Sequence, residues 1–233
     1  MSTPARRPSS EPARPFAGFK AESFAFLSAL GALGNNNKSW FNAHREQYEV
    51  FVKQPMAALV SSLGPSLLRL DPRFEVRPLT NKTLTRINRD MRFARGLPPY
   101  KDHVLALFYR VDRKQSDAQL FVGLQPTGVW SGLYVGGHLV AAPAKRMARD
   151  GWAGLGRECG VGRRFRLCVC ERYGEVARVV RSPTDSDYLS GPHLVMLRAY
   201  SVAQSIRLGP KMADDLVVSL RALFPLWRRY SHA

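Results

Sequence analysis

Acidic residues are scarce in this chain: 18 Asp and Glu stand against 35 Lys and Arg, leaving a formal charge of +17. That excess points to a polyanionic partner, such as nucleic acid, a phosphorylated ligand or an acidic surface. The basic residues are scattered, without a long Lys/Arg run, so nucleic acid is the lesser of these readings. Cysteine is also sparse. Three residues, Cys159, Cys168 and Cys170, are too few and too clustered for a disulfide framework and fit a reducing compartment. Cys168 and Cys170 lack a second ligand pair at a plausible spacing, so they read as strand thiols rather than a metal site.

Long apolar runs are missing, so no membrane span is expected. The amino terminus has arginines but no apolar core of a secretory signal. Pro4, Pro8, Pro12 and Pro15 would break the amphipathic helix of an organellar leader. The cytoplasm is the expected location. Catalytic templates are missing too: there is no G-x-S-x-G elbow, P-loop, G-x-G-x-x-G before a helix or H-E-x-x-H. The glycines between Gly132 and Gly137 lie at a strand end without a following Lys-Ser/Thr. His103, His138 and His193 stand apart in sequence, so neither a metal nor a cofactor is expected.

What remains is enough apolar residue, 45% of the chain, for a sizeable core. Residues 1–15 form a Pro/Ser/Arg-rich tail expected to be disordered, and 16–233 read as a single domain. Helical spacing runs over Ala21–Leu33, with Phe26, Leu27, Leu30 and Leu33 on one face and Gly34 suited to a left-handed stop. Asn37 is a good N-cap for a second helix reaching Gln54, on which Trp40, His44 and Tyr48 share a face. Pro55 should end or kink it; Met56, Leu59, Val60 and Leu63 then resume the period. Strands are expected at Phe74–Arg77, Thr83–Arg89, Val104–Val111, Gln119–Gln125, Val129–Val135, Phe165–Cys170, Val176–Val180 and His193–Ser201. Gln119–Gln125 and Val129–Val135 are joined by a hairpin at Pro126-Thr127-Gly128. Leu139–Cys159 and Lys211–Arg229 read as helices. Helices at both ends of the chain and strands in runs between them define an α+β class with an antiparallel-rich sheet.

The stretch Leu84–Tyr109 stands out, because it sets arginines and Asp90 among apolar residues before Pro98-Pro99-Tyr100-Lys101. In an extended chain Arg86, Asn88, Asp90 and Arg92 share one face, and Ile87, Arg89, Met91 and Phe93 the other. Asp90 would fix one arginine by bidentate hydrogen bonds and leave another for a phosphate or carboxylate, whose two oxygens match the guanidinium fork. Arg86, Arg89, Arg92 and Lys101 are therefore the expected anion-binding residues. Asp90 orients them, and Phe93 and Tyr100 form the walls. Asn37, Trp40, His44 and Tyr48 make a second cluster that either forms a rim to this site or is ordinary aromatic packing. Equally, the arginines and Asp90 are the ingredients of an ion-pair network that only stitches the fold.

These segments resemble a bacterial and fungal family classed as a domain of unknown function. The resemblance rests on N-N-N-K-S-W-F-x-A-H-R-x-x-Y, on R-x-x-R-D-x-R-F and on P-Y-K, and is best over Phe19–Phe108. Where that family usually carries R-F-S-K-D-K-T-P-Y-K, this chain has Ala94 for the serine and Gly96-Leu97 for the Asp-Lys pair. The resemblance implies a site at this stretch and brings no activity with it. The expected function is a domain that binds, or acts on, an anionic or phosphorylated small molecule. The alternatives are a basic nucleic-acid-binding module and a structural or partner-binding protein.

Overall fold

The computed structural model describes residues 15–92, 94, 96–137, 139, 151–170 and 178–231. The expected tail, except Pro15, lies outside the described residues, as do Phe93, His138 and positions 140–150 of the expected helix Leu139–Cys159.

Helix α1 (Ala21–Gly31) buries Phe24, Phe26, Leu27 and Leu30. It stops at Gly31 rather than Leu33 because Asn35 Nδ2 donates to the Ala29 carbonyl at 3.0 Å, closing an open carbonyl of the last turn. Gly34 follows with a left-handed φ of 89°, and Leu33 is fully exposed instead of sharing the apolar stripe. Helix α2 (Lys38–Ala43) begins at Asn37, whose Oδ1 accepts the Trp40 N–H at 2.9 Å. It is followed directly by α3 (Arg45–Tyr48), a π-helical turn over Glu49–Lys53 and α4 (Gln54–Leu68). Pro55 therefore does not end the helical run. The wide turn just before it interrupts the regular ladder where the proline ring has no N–H to give.

The segment between α4 and the sheet carries one local device three times. Asp71, Glu75 and Asp90 each accept the backbone N–H and the guanidinium of the arginine two residues on, Arg73, Arg77 and Arg92. A backbone N–H bonded to a nearby carboxylate is not free for a ladder. The expected strand Phe74–Arg77 accordingly shrinks to a single bridge, Phe74 to Arg110. Thr83–Arg89 becomes an edge ribbon with isolated bridges at Leu84–Ala106 and Asn88–Tyr100, and Leu84 also bridges back to Thr80.

The sheet has six strands, all antiparallel, in the order β1-β2-β3-β6-β4-β5. They are β1 (Val104–Phe108), β2 (Gln119–Gln125), β3 (Gly128–Val135), β4 (Arg166–Cys170), β5 (Arg178–Val180) and β6 (His193–Ser201). Gln125 pairs with Gly128, so Pro126-Thr127 is the two-residue hairpin link. A short helix α5 (Trp152–Glu158) precedes β4. Helix α6 (Val202–Leu208), unanticipated, is set by a capping box in which Ser201 Oγ and Gln204 Oε1 exchange bonds with each other's backbone N–H.

The C-terminal helix α7 (Met212–Ser231) lies on β2 and β3 and buries Leu216, Leu220, Leu223 and Trp227. Its two acidic residues sit in the first turn and Arg228 and Arg229 in the last, each matched to the helix dipole. An ion pair ties its end to the sheet. Arg110 and Asp117 are both buried at 2.5 Å, and Arg110 also donates to the Ser231 carbonyl at 2.5 Å. The opposite sheet face carries a smaller apolar cluster of Leu107, Tyr109, Phe121 and Leu197.

Candidate functional site

The three consecutive asparagines after α1 each do a different job. Asn35 closes α1 and Asn37 opens α2, while Asn36 reaches across to the sheet edge. Its Oδ1 accepts the Tyr100 N–H at 2.9 Å and its Nδ2 donates to the Tyr100 carbonyl at 3.1 Å. The Tyr100 ring stacks on Phe41 with centroids 4.3 Å apart and is buried. Tyr100 thus anchors the Pro98-Pro99 step to the helices.

The ribbon Thr83–Arg89 runs antiparallel to 99–107. Leu107 N–H donates to Thr83, Thr85 N–H to Leu105, Lys101 N–H to Ile87 and Arg89 N–H to Pro99, all at 2.8–2.9 Å. This pairing sets Arg89 and Lys101 together and divides the expected clamp into two groups. In the first, Asp90 holds Arg92 by a bidentate pair, Nε to Oδ1 at 3.0 Å and Nη2 to Oδ2 at 2.7 Å. That arginine, with a lesser field from Arg86, brings the Asp90 carboxyl down to about 2. This group is exposed.

In the second group the cations lack such a partner among the described residues. Arg89 is partly buried, and its Nε is shut off from water with no hydrogen-bond partner among the described residues. Lys101 is half-buried, and among the described residues its ammonium donates only to the Arg86 carbonyl, at 3.2 Å. Burial lowers its pKa, and the charges of Arg89 and Lys114 lower it further. Lys114, which the sequence reading missed, sits 5.6 Å from the Tyr109 ring and donates weakly to the Asn81 carbonyl. Its own pKa falls through burial and then through the nearby Lys82. No pattern in sequence joins Lys101, which precedes β1, to Lys114, which follows it.

The carboxylates in reach are already engaged. Glu75 is held by Arg77. Asp102 accepts His103 Nδ1 at 3.0 Å, and that bond, more than the field of Arg89, lowers its pKa. His103, isolated in the sequence, is thereby oriented with Nε2 outward from the pair. Chemically, the group presents fixed positive charge to an oxyanion, beside one carboxylate-oriented imidazole.

The aromatic cluster is placed on the helices. Trp40 and His44 stack with centroids 4.0 Å apart, and His44 Nδ1 donates to the Trp40 carbonyl at 2.8 Å. Tyr48 packs on Phe26 and Phe41, and burial, helped by Glu49, pushes its hydroxyl up to about 12. Near the usual Asp-Lys position of the resembling family, Gly96 has a left-handed φ of 78° with open space around it, and Leu97 is exposed. Phe93 is outside the described residues. Among the described residues no group of three or more His, Cys, Asp or Glu is placed to hold a metal ion, and no helix is long and apolar enough to cross a membrane.

Fold and side chains together define a basic α+β domain with a six-stranded antiparallel sheet and cations gathered at its first edge. Residues 22–150, more than half of the chain, match the model of the conserved hypothetical protein family DUF2461, and the chain belongs to that family. No curated protein matches it.

Proposed function

We propose that this domain binds an anionic or phosphorylated small molecule at Arg89, Lys101 and Lys114, with Arg86 and the Asp90–Arg92 pair on the flank. The observation that carries the reading is the Arg89 guanidinium: its Nε is removed from water without a hydrogen-bond partner, among the described residues no carboxylate bonds it, and it shares the field of Lys101, which Lys114 flanks as well. A buried donor without a partner costs about 1–3 kcal/mol, more when charged, and an oxyanion would relieve both that cost and the like-charge repulsion. The Asn36–Tyr100 clamp supports the reading because it holds the Lys101 backbone in place before any ligand arrives. The Asp102–His103 pair is the nearest candidate in sequence for moving a proton on such a ligand.

The test is calorimetric titration of the purified protein with inorganic phosphate and pyrophosphate, alongside native mass spectrometry for a co-purifying anion. Binding to the wild type that weakens about tenfold or more in R89Q and K101Q, at unchanged melting temperature, is the expected result. Equal binding by wild type and both variants would overturn the assignment.

A further inference from the structure

A second basic feature lies far along the chain from Arg89. An open cleft of about 810 Å3 is lined by the end of α5, the turn at 160–166, the edge of β6 and Ala222 of α7. It exists because β4 begins only at Arg166, opposite Leu197, so β6 from Arg198 onward has no strand beside it on that side. Four arginines line it, Arg163, Arg164, Arg166 and Arg198, against one carboxylate, Glu158.

Arg198 is already engaged. It lies 2.9 Å from Asp215, donates to Ser219 Oγ at 2.7 Å and stacks 4.5 Å over Tyr200. The other three are exposed and, among the described residues, have no side-chain hydrogen bond or ion pair. Their backbone is nonetheless fixed. Val161 and Phe165 are buried at the foot of the turn, the N–H groups of Arg164 and Phe165 converge on the Gly160 carbonyl at 2.8 and 3.1 Å, and Gly162 N–H returns to the Phe165 carbonyl at 2.8 Å. Gly160 and Gly162 both take a φ of 88°, which side chains other than glycine rarely adopt.

Three unneutralised guanidinium groups on a rigid turn repel one another until a polyvalent anion bridges them, and little backbone ordering is then left to oppose binding. The cleft has the size of a small-molecule site. Among the described residues its lining contains no aromatic ring, so it lacks the stacking platform with which single-stranded nucleic acids are held. We propose that this cleft is a second anion site, taking a compact, multiply phosphorylated small molecule through Arg163, Arg164 and Arg166. It is built from residues outside 22–150 and is independent of the Arg89 site.

The probe is inorganic tripolyphosphate, titrated calorimetrically into the full chain in the wild-type and R89Q/K101Q backgrounds. In both, R163Q/R164Q should weaken binding at this cleft by about tenfold or more at unchanged melting temperature. E158Q should tighten it about threefold by removing the one repulsive charge. A change of less than about twofold in R163Q/R164Q would overturn the proposal, because surface charge alone would then explain any binding. So would displacement of tripolyphosphate by a single-stranded oligonucleotide at equal phosphate concentration, which would make this face a nucleic-acid surface. Failure of the Arg89 reading looks different: R89Q/K101Q would then bind as the wild type does, whatever happens at the cleft.

Discussion

Asn36 and Tyr100, 64 residues apart, are joined as two strands would be, the side-chain amide of one meeting both the N–H and the carbonyl of the other. This pair docks the helical segment on the sheet edge and sets where Lys101 begins. Asn36→Ala removes both bonds and leaves two backbone groups to find water, for a loss of about 1–3 kcal/mol. Asn36→Asp keeps the acceptor and loses the donor, so it should fall between the two. Chemical denaturation of the three proteins checks the order.

Arg110 and Asp117 are a buried pair with the chain's last helix hanging on it through the Ser231 carbonyl. Asp117→Ala strands a buried guanidinium and should cost about 3–5 kcal/mol. Loss should appear as early melting of α7, read by hydrogen exchange at Leu223–Tyr230. A variant as stable as the wild type would contradict the buried pairing.

Gly156 is a glycine for want of room. A Cβ there would lie 1.7 Å from the hydroxyl of Tyr188, which is fully buried. Gly156→Ala must displace that ring, and overpacking of this kind costs about 1–3 kcal/mol. Gly154→Ala, two residues earlier and with nothing within 4 Å, should leave the melting temperature almost unchanged.

Acid should unfold the protein through its arginine-held and histidine-held carboxylates. Asp71, Glu75 and Asp102 titrate below their ordinary values of 3.8, 4.5 and 3.8 because Arg73, Arg77 and His103 bond the charged form. The unfolded chain takes up these protons first, so their stabilisation is complete above those ordinary values. It is lost as pH falls from about 4.5 toward the folded values. Melting temperatures measured across that window should fall steadily; a flat profile would mean that the clamps do not persist in solution.

Lys101 makes the opposite prediction for ligand binding. Its pKa lies below the ordinary 10.5 because of burial and its cationic neighbours, so raising the pH removes its charge earlier than for a surface lysine. Phosphate affinity should therefore decline on the alkaline side, and Lys101→Arg should carry full affinity further into that range. Titrations at a series of pH values separate the two proteins.

Much of the fold is local and therefore visible along the chain. The period of α1 and α7, the Asn37 cap, the Pro126-Thr127 link and the alternation of β2 and β3 each depend on residues within a few positions of one another. The capping box Ser201-x-x-Gln204 is equally local, although no helix is expected from it. The overestimated strand Phe74–Arg77 has a local cause as well, the acid-x-Arg clamps at either end of it that take the Arg73 and Arg77 N–H groups out of the ladder.

By itself, the sequence determined that this is a basic α+β domain of antiparallel strands flanked by helices, and that cations cluster near Arg86–Lys101. Only the tertiary structure decided how those cations divide, with Arg92 held by Asp90 and Lys101 set between Arg89 and Lys114. Only it decided that Tyr100 anchors the loop and that Arg110 and Asp117 fasten the last helix. The reason is physical: hydrogen-bonding type and period are properties of neighbours in the chain, whereas burial and charge pairing depend on which distant segments the strand order brings together.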